Sequence, residues 1–263
     1  MDELIRTVVS LRNMISEMDR KGLELKRITK TSALLMMSGL SSNSIPINIV
    51  ERCIREQNND GGWVGVLDTI WNTQFLKLLS RPEFHLNIEK ALNYLETQKN
   101  PEGLWGRSIR DISRIPVSAL FFYLFPRMTN NIELTLLEEL WEKEKGSLTY
   151  KAGYTLMAFS HNDYIPKASG LIEEAVYWLL NQQNEDGGFS PWKEHPVDSD
   201  VFCTSIASLG LACYSDHVPS DVFIKARKWL LDNRLKSGIW KYHEIEDGAS
   251  WGLYTLSQLR KII

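Results

Sequence analysis

Two aspartates, Asp198 and Asp200, lie two positions apart, just before an apolar segment that continues to Leu211. Carboxyl groups that share a desolvated space cannot both ionise cheaply, so one of them retains its proton near neutral pH and can act as a general acid. An aspartate in front of a helix is also a common N-terminal cap. The pair therefore predicts either an acid site or a helix cap, and other polar side chains at the same place would favour the acid.

Other candidate side chains occur where further apolar segments begin. The first turn of a helix has unpaired N–H groups that favour acidic residues, and aromatic rings in a dry cavity stabilise cations by about 1–2 kcal/mol each. Arg110 and Arg114 are paired basic residues at such a start, and solvated charge is the alternative interpretation of both. With Asp198 and Asp200 as the catalytic candidates, we predict that the following residues contact a ligand: Asp68, Trp71, Asn72, Arg110, Arg114, Tyr154, Phe202, Thr204, Glu246, Asp247 and Trp251.

A sequence repeat positions these segments. A helix-like segment ends in Gln, and polar turn residues, a glycine and a large aromatic residue follow it. The motif recurs about every forty residues, and a fixed period of this length indicates a repeat architecture. The best copies are Gln57-Asn-Asn-Asp-Gly-Gly-Trp63, Gln98-Lys-Asn-Pro-Glu-Gly-Leu-Trp105 and Gln183-Asn-Glu-Asp-Gly-Gly-Phe189, and weaker copies end at Leu148 and Trp240.

Each repeat predicts two helices, one before the Gly-aromatic turn and one after it. The first is apolar along one stripe and belongs outside, whereas the second is apolar over most of its circumference and belongs inside. The predicted outer helices are residues 3–19, 47–57, 87–98, 131–144, 169–182 and 219–232, and the predicted inner helices are residues 28–39, 68–80, 112–125, 150–160, 199–213 and 248–260.

Six helix pairs suit a closed ring. Neither end of the chain has the polar cap that an open solenoid needs, so we expect the first and last pairs to meet. We predict an all-α protein, a closed (α/α)6 barrel with a central cavity that opens at one mouth. Residues 1–263 are expected to form a single domain.

The Gln-x-x-Asp-Gly-Gly-Trp/Phe turns resemble the repeat shared by squalene and other class II terpene cyclases and by the β-subunits of protein prenyltransferases. The resemblance covers nearly the whole chain and implies the same barrel, in which the Gln residues cap helix ends and Trp63, Trp105 and Phe189 stack in the outer layer. The segment from Asp198 to Thr204 resembles the Asp-x-Asp-Asp-Thr acid motif of the cyclases, with Val201 at its fourth position.

In those cyclases the aspartate at the third position of the motif protonates an alkene or an epoxide, so the resemblance implies that Asp200 is the acid. We therefore predict a cyclase or isomerase that acts on an isoprenoid. The alternatives are a non-catalytic toroid that binds an isoprenoid or an apolar peptide and, third, an α/α-barrel glycosidase that uses two carboxylates about 6.5–9.5 Å apart.

We predict that the protein uses no cofactor. A diphosphate on the substrate would require Mg²⁺. Prenyltransferases hold zinc through an Asp-x-Cys pair and a distant His. Asp200, Cys203 and His243 are the ligand types in this chain that suit zinc, but a cysteine at this position is more often a small buried residue. We predict no metal site.

Composition limits the partners. A net charge of -3 leaves no basic surplus for nucleic acid, and three cysteines form no paired framework, which suits a reducing compartment. The N-terminus lacks the apolar core of a signal peptide, and the longest apolar run, Ile115 to Pro126, is too short to span a bilayer. We predict a cytoplasmic protein, with peripheral membrane contact as a further option, that binds a small isoprenoid or other apolar ligand; its oligomeric state is left open.

Overall fold

The chain is built from consecutive α-helices. A computed structural model describes the backbone of residues 2–263 and the side chains from Leu4 onward, and twelve α-helices follow one another in this range. The predicted helices are confirmed, and their ends differ from the observed ones by at most three residues. The odd-numbered helices are α1 (Asp2–Arg20), α3 (Ile47–Arg55), α5 (His85–Thr97), α7 (Asn131–Glu144), α9 (Leu171–Asn181) and α11 (Ser220–Asp232). The even-numbered helices are α2 (Leu25–Met37), α4 (Val66–Leu79), α6 (Ile115–Leu124), α8 (Thr149–His161), α10 (Val201–Ala212) and α12 (Ile245–Leu259).

The even-numbered helices form the inner ring. Each of them contacts the next even-numbered helix, and α12 contacts α2, so the ring is closed. These helices are apolar on almost every side because they are covered on both faces; in α6, nine of the ten residues are buried. The odd-numbered helices pack outside the ring, and the fold is the predicted (α/α)6 barrel.

One glycine contact recurs between neighbouring repeats and also closes the ring. Gly61, Gly187 and Gly238 all have a φ between +88° and +94°, a region that favours glycine. A Cβ at Gly61 would lie 2.3 Å from the carbonyl oxygen of Lys90 in α5, and one at Gly238 would lie 2.7 Å from the backbone nitrogen of Thr7 in α1. The last turn therefore packs on the first helix as the turns at Gly61 and Gly187 pack on the next outer helix.

Replacing Gly238 by alanine should destabilise the protein by about 1–3 kcal/mol, because the left-handed backbone and the overlap with α1 both penalise a Cβ. Gly170→Ala is the matched control, since Gly170 has a φ of +82° but nothing within 4 Å of its added Cβ. Urea unfolding of the two variants measures the difference. Equal losses at the two positions would mean that the contact between the last turn and α1 contributes nothing.

The glutamines and tryptophans of the repeat hold the turns to the helices. The Gln57 Nε2 donates to the carbonyl oxygens of Gly61 at 2.8 Å and Asn87 at 2.9 Å, and the Gln183 amide makes the equivalent pair of bonds. Gln98 differs, because its Nε2 donates to the Thr97 hydroxyl instead. The indole nitrogens of Trp63, Trp105 and Trp240 each donate to the carbonyl ten residues earlier, at the end of the preceding outer helix, at 2.7–3.0 Å.

Candidate active site

The Gly-aromatic turns deliver the chain to the first turn of each inner helix, so the predicted site residues gather at one mouth of the barrel. A cleft of about 1110 Å³ lies at this mouth beside the start of α10. Its size matches that of pockets for small organic ligands. Two predicted residues, Asp200 and Phe202, line it, together with Tyr150, Cys203, Trp229, Trp240 and Tyr242.

Asp200 is the N-cap of α10. Its Oδ1 accepts a hydrogen bond from the backbone N–H of Cys203 at 2.8 Å, and its own N–H donates to the carbonyl of Phe189 at 3.0 Å. The side chain is half-buried and lines the cleft. The helix-cap interpretation is therefore realised, and the same carboxyl is also accessible to a ligand.

Two neighbours of Asp200 are held in their protonated forms. Burial raises the pKa of the Cys203 thiol well above its usual range, and the nearby Asp200 carboxylate raises it further. Burial also raises the pKa of Tyr242, with the charges of Asp200 and Asp247 adding to the effect. Cys203 and Tyr242 are therefore hydrogen-bond donors, not bases, at this end of the cleft.

Asp198 is separated from Asp200 by its backbone conformation. It has a φ of +58° and an exposed side chain, and its N–H donates to the carbonyl of His195 at 2.9 Å. We expected the two carboxyls to share a desolvated space. They do not, because the left-handed turn leaves Asp198 in solvent.

Glu246 and Asp247 have cationic partners from α2. Arg27 Nε lies 2.5 Å from Glu246 Oε1, and Lys30 Nζ lies 2.5 Å from Asp247 Oδ1. We predicted Glu246 and Asp247 as ligand contacts, but neither lines the cleft, and both carboxyls pair with cations of α2 instead. The cations of α2 were not among the predicted site residues. The basic residues in the first turn of this first inner helix could have indicated them.

Asp68 is a carboxyl at the mouth whose pKa is shifted by burial. It starts α4, and its Oδ2 lies 3.8 Å from Lys26 Nζ. Burial raises the pKa of Asp68, and the charge of Lys26 offsets part of that rise. The folded protein therefore favours the protonated form of this side chain more than the unfolded chain does.

Asp68→Asn should be more stable than the wild type at about pH 7 and equally stable at about pH 3. The penalty on the ionised carboxyl is absent below the ordinary aspartate pKa and appears as the pH rises through the raised pKa of the folded state. Urea unfolding at the two pH values measures this, with the exposed Asp216→Asn as the control. A loss of stability at neutral pH would mean that the ion pair with Lys26 outweighs the burial.

The predicted arginines lie at the outer edge of the mouth. Arg114 makes two bonds to Asp111, from Nε to Oδ2 at 2.7 Å and from its terminal nitrogen to Oδ1 at 3.1 Å, and this pairing holds the pKa of Asp111 below its usual range. Arg110 is exposed. Neither residue lines the cleft, so solvated charge is the better description of Arg110, and Arg114 is an ion-pair partner.

Thr204 and Asn72 take part in packing contacts. The Thr204 hydroxyl accepts from the backbone N–H of Phe189 at 2.9 Å, and the Thr69 hydroxyl binds the equivalent N–H of Trp63 at 3.1 Å. The Asn72 Oδ1 accepts from the Thr29 hydroxyl at 2.5 Å, between α2 and α4. Neither residue lines the cleft: Thr204 holds a turn, and Asn72 joins two inner helices while its Nδ2 has no hydrogen-bond partner.

Three of the predicted aromatic residues pack against one another inside the ring. The centroid of the Trp251 ring lies 6.0 Å from that of Trp71 and 6.2 Å from that of Tyr154, in edge-to-face geometry. All three side chains are buried. We expected these rings to line an open central cavity, but they fill the interior at this level, and the cleft extends sideways over the turn that follows α11.

The aromatic residues that do line the cleft were partly missed. Trp229, Trp240 and Tyr242 lie at the end of α11 and in the last turn, and Tyr242 stacks on Phe202 at 6.0 Å. The available signal was the sequence after Gly238, where two aromatic residues occur within four positions. Within residues 2–263, no group of three or more His, Cys, Asp or Glu side chains is arranged to hold a metal ion. None of the helices in this range is long and apolar enough to cross a membrane.

Comparison with known proteins supports this architecture. No protein-family model matches the chain. A squalene–hopene cyclase from Zymomonas mobilis is 35% identical in an alignment of 82 residues, and the match covers 27% of this chain and 12% of that cyclase. The chain thus spans only a small part of that relative.

The structural similarity extends over the whole chain. The type II terpene cyclase MstE from Scytonema, in a complex with its substrate geranylgeranyl dihydroxybenzoate, has a TM-score of 0.74 at 14% identity, covering 100% of this chain and 99% of that one. Another MstE structure, with its product merosterolic acid A, has a TM-score of 0.69 at 15% identity and covers 99% of this chain and 97% of that one. The chain therefore has the same α/α toroid fold as these structures.

Proposed function

We propose that the protein is a class II-type terpenoid cyclase or isomerase in which Asp200 protonates an isoprenoid. The observation that carries the proposal is the position of Asp200 in a cleft of about 1110 Å³ whose lining includes Phe202, Tyr150 and Tyr242. A carboxyl beside several aromatic faces joins a proton donor to a surface that stabilises the resulting cation. The other predicted acid, Asp198, is exposed and has no part in the proposed step.

The chemistry requires only the chain's own residues. The protonated form of Asp200 is the one that reacts: its O–H bond breaks, a C–H bond forms at one alkene carbon, and positive charge develops on the other. Phe202 and Tyr242, stacked at 6.0 Å, and Tyr150, 5.9 Å from Phe202, offer ring faces to that charge. Ring closure or a shift follows, a proton leaves from carbon to solvent, and Asp200 regains a proton from water, so the product is an isomer of the substrate.

Supporting features come from the proteins compared above. MstE is a type II terpene cyclase that was crystallised with a geranylgeranyl compound as substrate, and the partial sequence relative is a squalene–hopene cyclase. We propose that this chain also binds an isoprenoid and also reacts without a metal. We propose further that the whole chain acts as one domain. Free Cys53, Cys203 and Cys213 agree with the cytoplasmic location that we propose.

A non-catalytic isoprenoid binder is the second candidate. Two observations favour it: Asp200 already serves as a helix cap, and Val201 occupies the fourth position of the acid motif. Both candidates use the same cleft and differ only in whether Asp200 delivers a proton.

The test is to incubate the purified full chain with geraniol, farnesol and geranylgeraniol and to follow both binding and conversion. Tryptophan fluorescence reports binding, and gas chromatography with mass spectrometry reports products. An isomer of unchanged mass supports the cyclase, and binding without conversion supports the binder. If none of the three alcohols binds, both proposals fail.

A further inference from the structure

A continuous series of aromatic rings runs through the inside of the barrel below the cleft. The distance between ring centroids is 6.4 Å from Phe202 to Tyr154, 6.2 Å from Tyr154 to Trp251, and 6.2 Å from Trp251 to Tyr254. The Tyr254 hydroxyl then bonds to that of Tyr123 at 2.5 Å. These five residues, supplied by four inner helices, are called the aromatic column below.

The aromatic column separates two cavities. Phe202 lines the cleft at the mouth, whereas Tyr123 and Tyr254 line a second cavity of about 260 Å³ at the other ends of the inner helices, together with Met157 and His161. Between them, Trp251 is 0% exposed and Tyr154 is 4% exposed. The barrel interior is therefore closed at the level of these two rings.

Trp251 is the central residue of this closure. It contacts three rings from separate directions: Trp71 of α4, Tyr154 of α8, and Tyr254 one turn further along α12. Interiors packed at this density do not yield gradually to a ligand, so a chain that reaches Trp251 either stops there or must expel the indole.

We propose that the aromatic column limits the length of the isoprenoid chain and that Trp251 is the residue that determines this specificity. The inference rests on the proposed function, because it assumes an isoprenoid in the cleft. A prenyl chain lies along the cleft beside α10 and ends against Phe202, behind which Tyr154 and Trp251 close the interior. Removal of the indole leaves space behind Phe202 and Tyr154, so that these two rings can move inward and make room for a longer chain.

The experiment compares Trp251→Ala with Trp141→Ala. Trp141 is equally buried, at 2% exposed, but lies in the outer helix α7, so both variants lose the same side chain from a packed environment. Dissociation constants for geraniol and geranylgeraniol are measured with each variant and with the wild type. The quantity compared is the dissociation constant for geranylgeraniol divided by that for geraniol. We expect this ratio to fall at least about tenfold in Trp251→Ala, which means a relative gain in affinity for the longer chain, and to stay at the wild-type value in Trp141→Ala.

Two further outcomes separate this inference from the proposed function. If the wild type binds these alcohols but the ratio is the same in both variants, the column does not set chain length and the inference is overturned alone. If no alcohol binds to the wild type, the proposed function fails and takes the inference with it. A crystal structure of Trp251→Ala gives an independent measurement: an open passage from Asp200 to His161 supports the proposal, and a collapsed interior contradicts it.

Discussion

Asp200→Asn should lower the rate of isoprenoid conversion by about 10²–10⁴-fold or more while leaving the fold and ligand binding intact. Asparagine caps helices as well as aspartate does, and its side-chain oxygen can still accept the hydrogen bond from the N–H of Cys203. The shape of the cleft is therefore preserved. What is lost is the transferable proton, which general acid catalysis cannot do without.

The measurement is product formation and ligand affinity for wild type and variant side by side. Asp216→Asn, which removes an exposed carboxyl away from the cleft, controls for the change in net charge. A fully active Asp200→Asn protein would show that another group donates the proton and that Asp200 is only a helix cap. A variant that lost affinity together with activity would indicate that Asp200 holds the ligand.

Trp105→Ala should destabilise the protein by about 3–5 kcal/mol without changing the ligand affinity of the folded molecules. The indole is 0% exposed, packs on Phe121 at 4.4 Å between centroids, and donates to the carbonyl of Leu95 at 2.7 Å. Alanine leaves a cavity and removes one of the two donors to that carbonyl, which keeps the hydrogen bond from the Gln98 N–H. Trp63→Ala should behave in the same way, because its indole nitrogen makes the equivalent bond to Cys53.

Chemical unfolding in urea measures the loss, and the same prenyl alcohols report on binding. Trp192→Ala is the control. Because Trp192 is 45% exposed, its replacement should lower the free energy of unfolding far less. Normal stability combined with lost binding would reverse the assignment and make Trp105 a ligand contact instead of a structural residue.

The parts of the fold that could be predicted from the sequence are those set by local patterns. Helix α7 was predicted with its observed bounds, 131–144, and the structure shows a local signal at its start, where Asn130 and Glu133 form a capping box within four residues. The Gly-aromatic turns could be predicted equally well, because the positive φ at Gly61 and at Gly187 favours glycine, and this glycine is visible in the sequence.

The candidate site was harder to predict because its contacts join residues that are far apart in the chain. Arg27 and Glu246 are 219 positions apart, and nothing local in either segment indicates the pairing. The exposure of Asp198 follows from a left-handed backbone at one non-glycine residue, which sequence patterns rarely reveal. The closure of the interior depends on how the rings of Trp71, Tyr154 and Trp251 fit together, and their identities alone were equally compatible with an open cavity.

The contact between the last turn and α1 bears on how the protein is made. A ribosome releases the first helical pair long before it synthesises α12, yet α12 is the neighbour against which α1 and α2 pack. During translation α2 can already pack against α4, but the sides of α1 and α2 that face α12 lack their native partner until α12 has emerged. The joint between the first and last helical pairs therefore forms only after α12 has been synthesised, and its apolar surface is exposed until then.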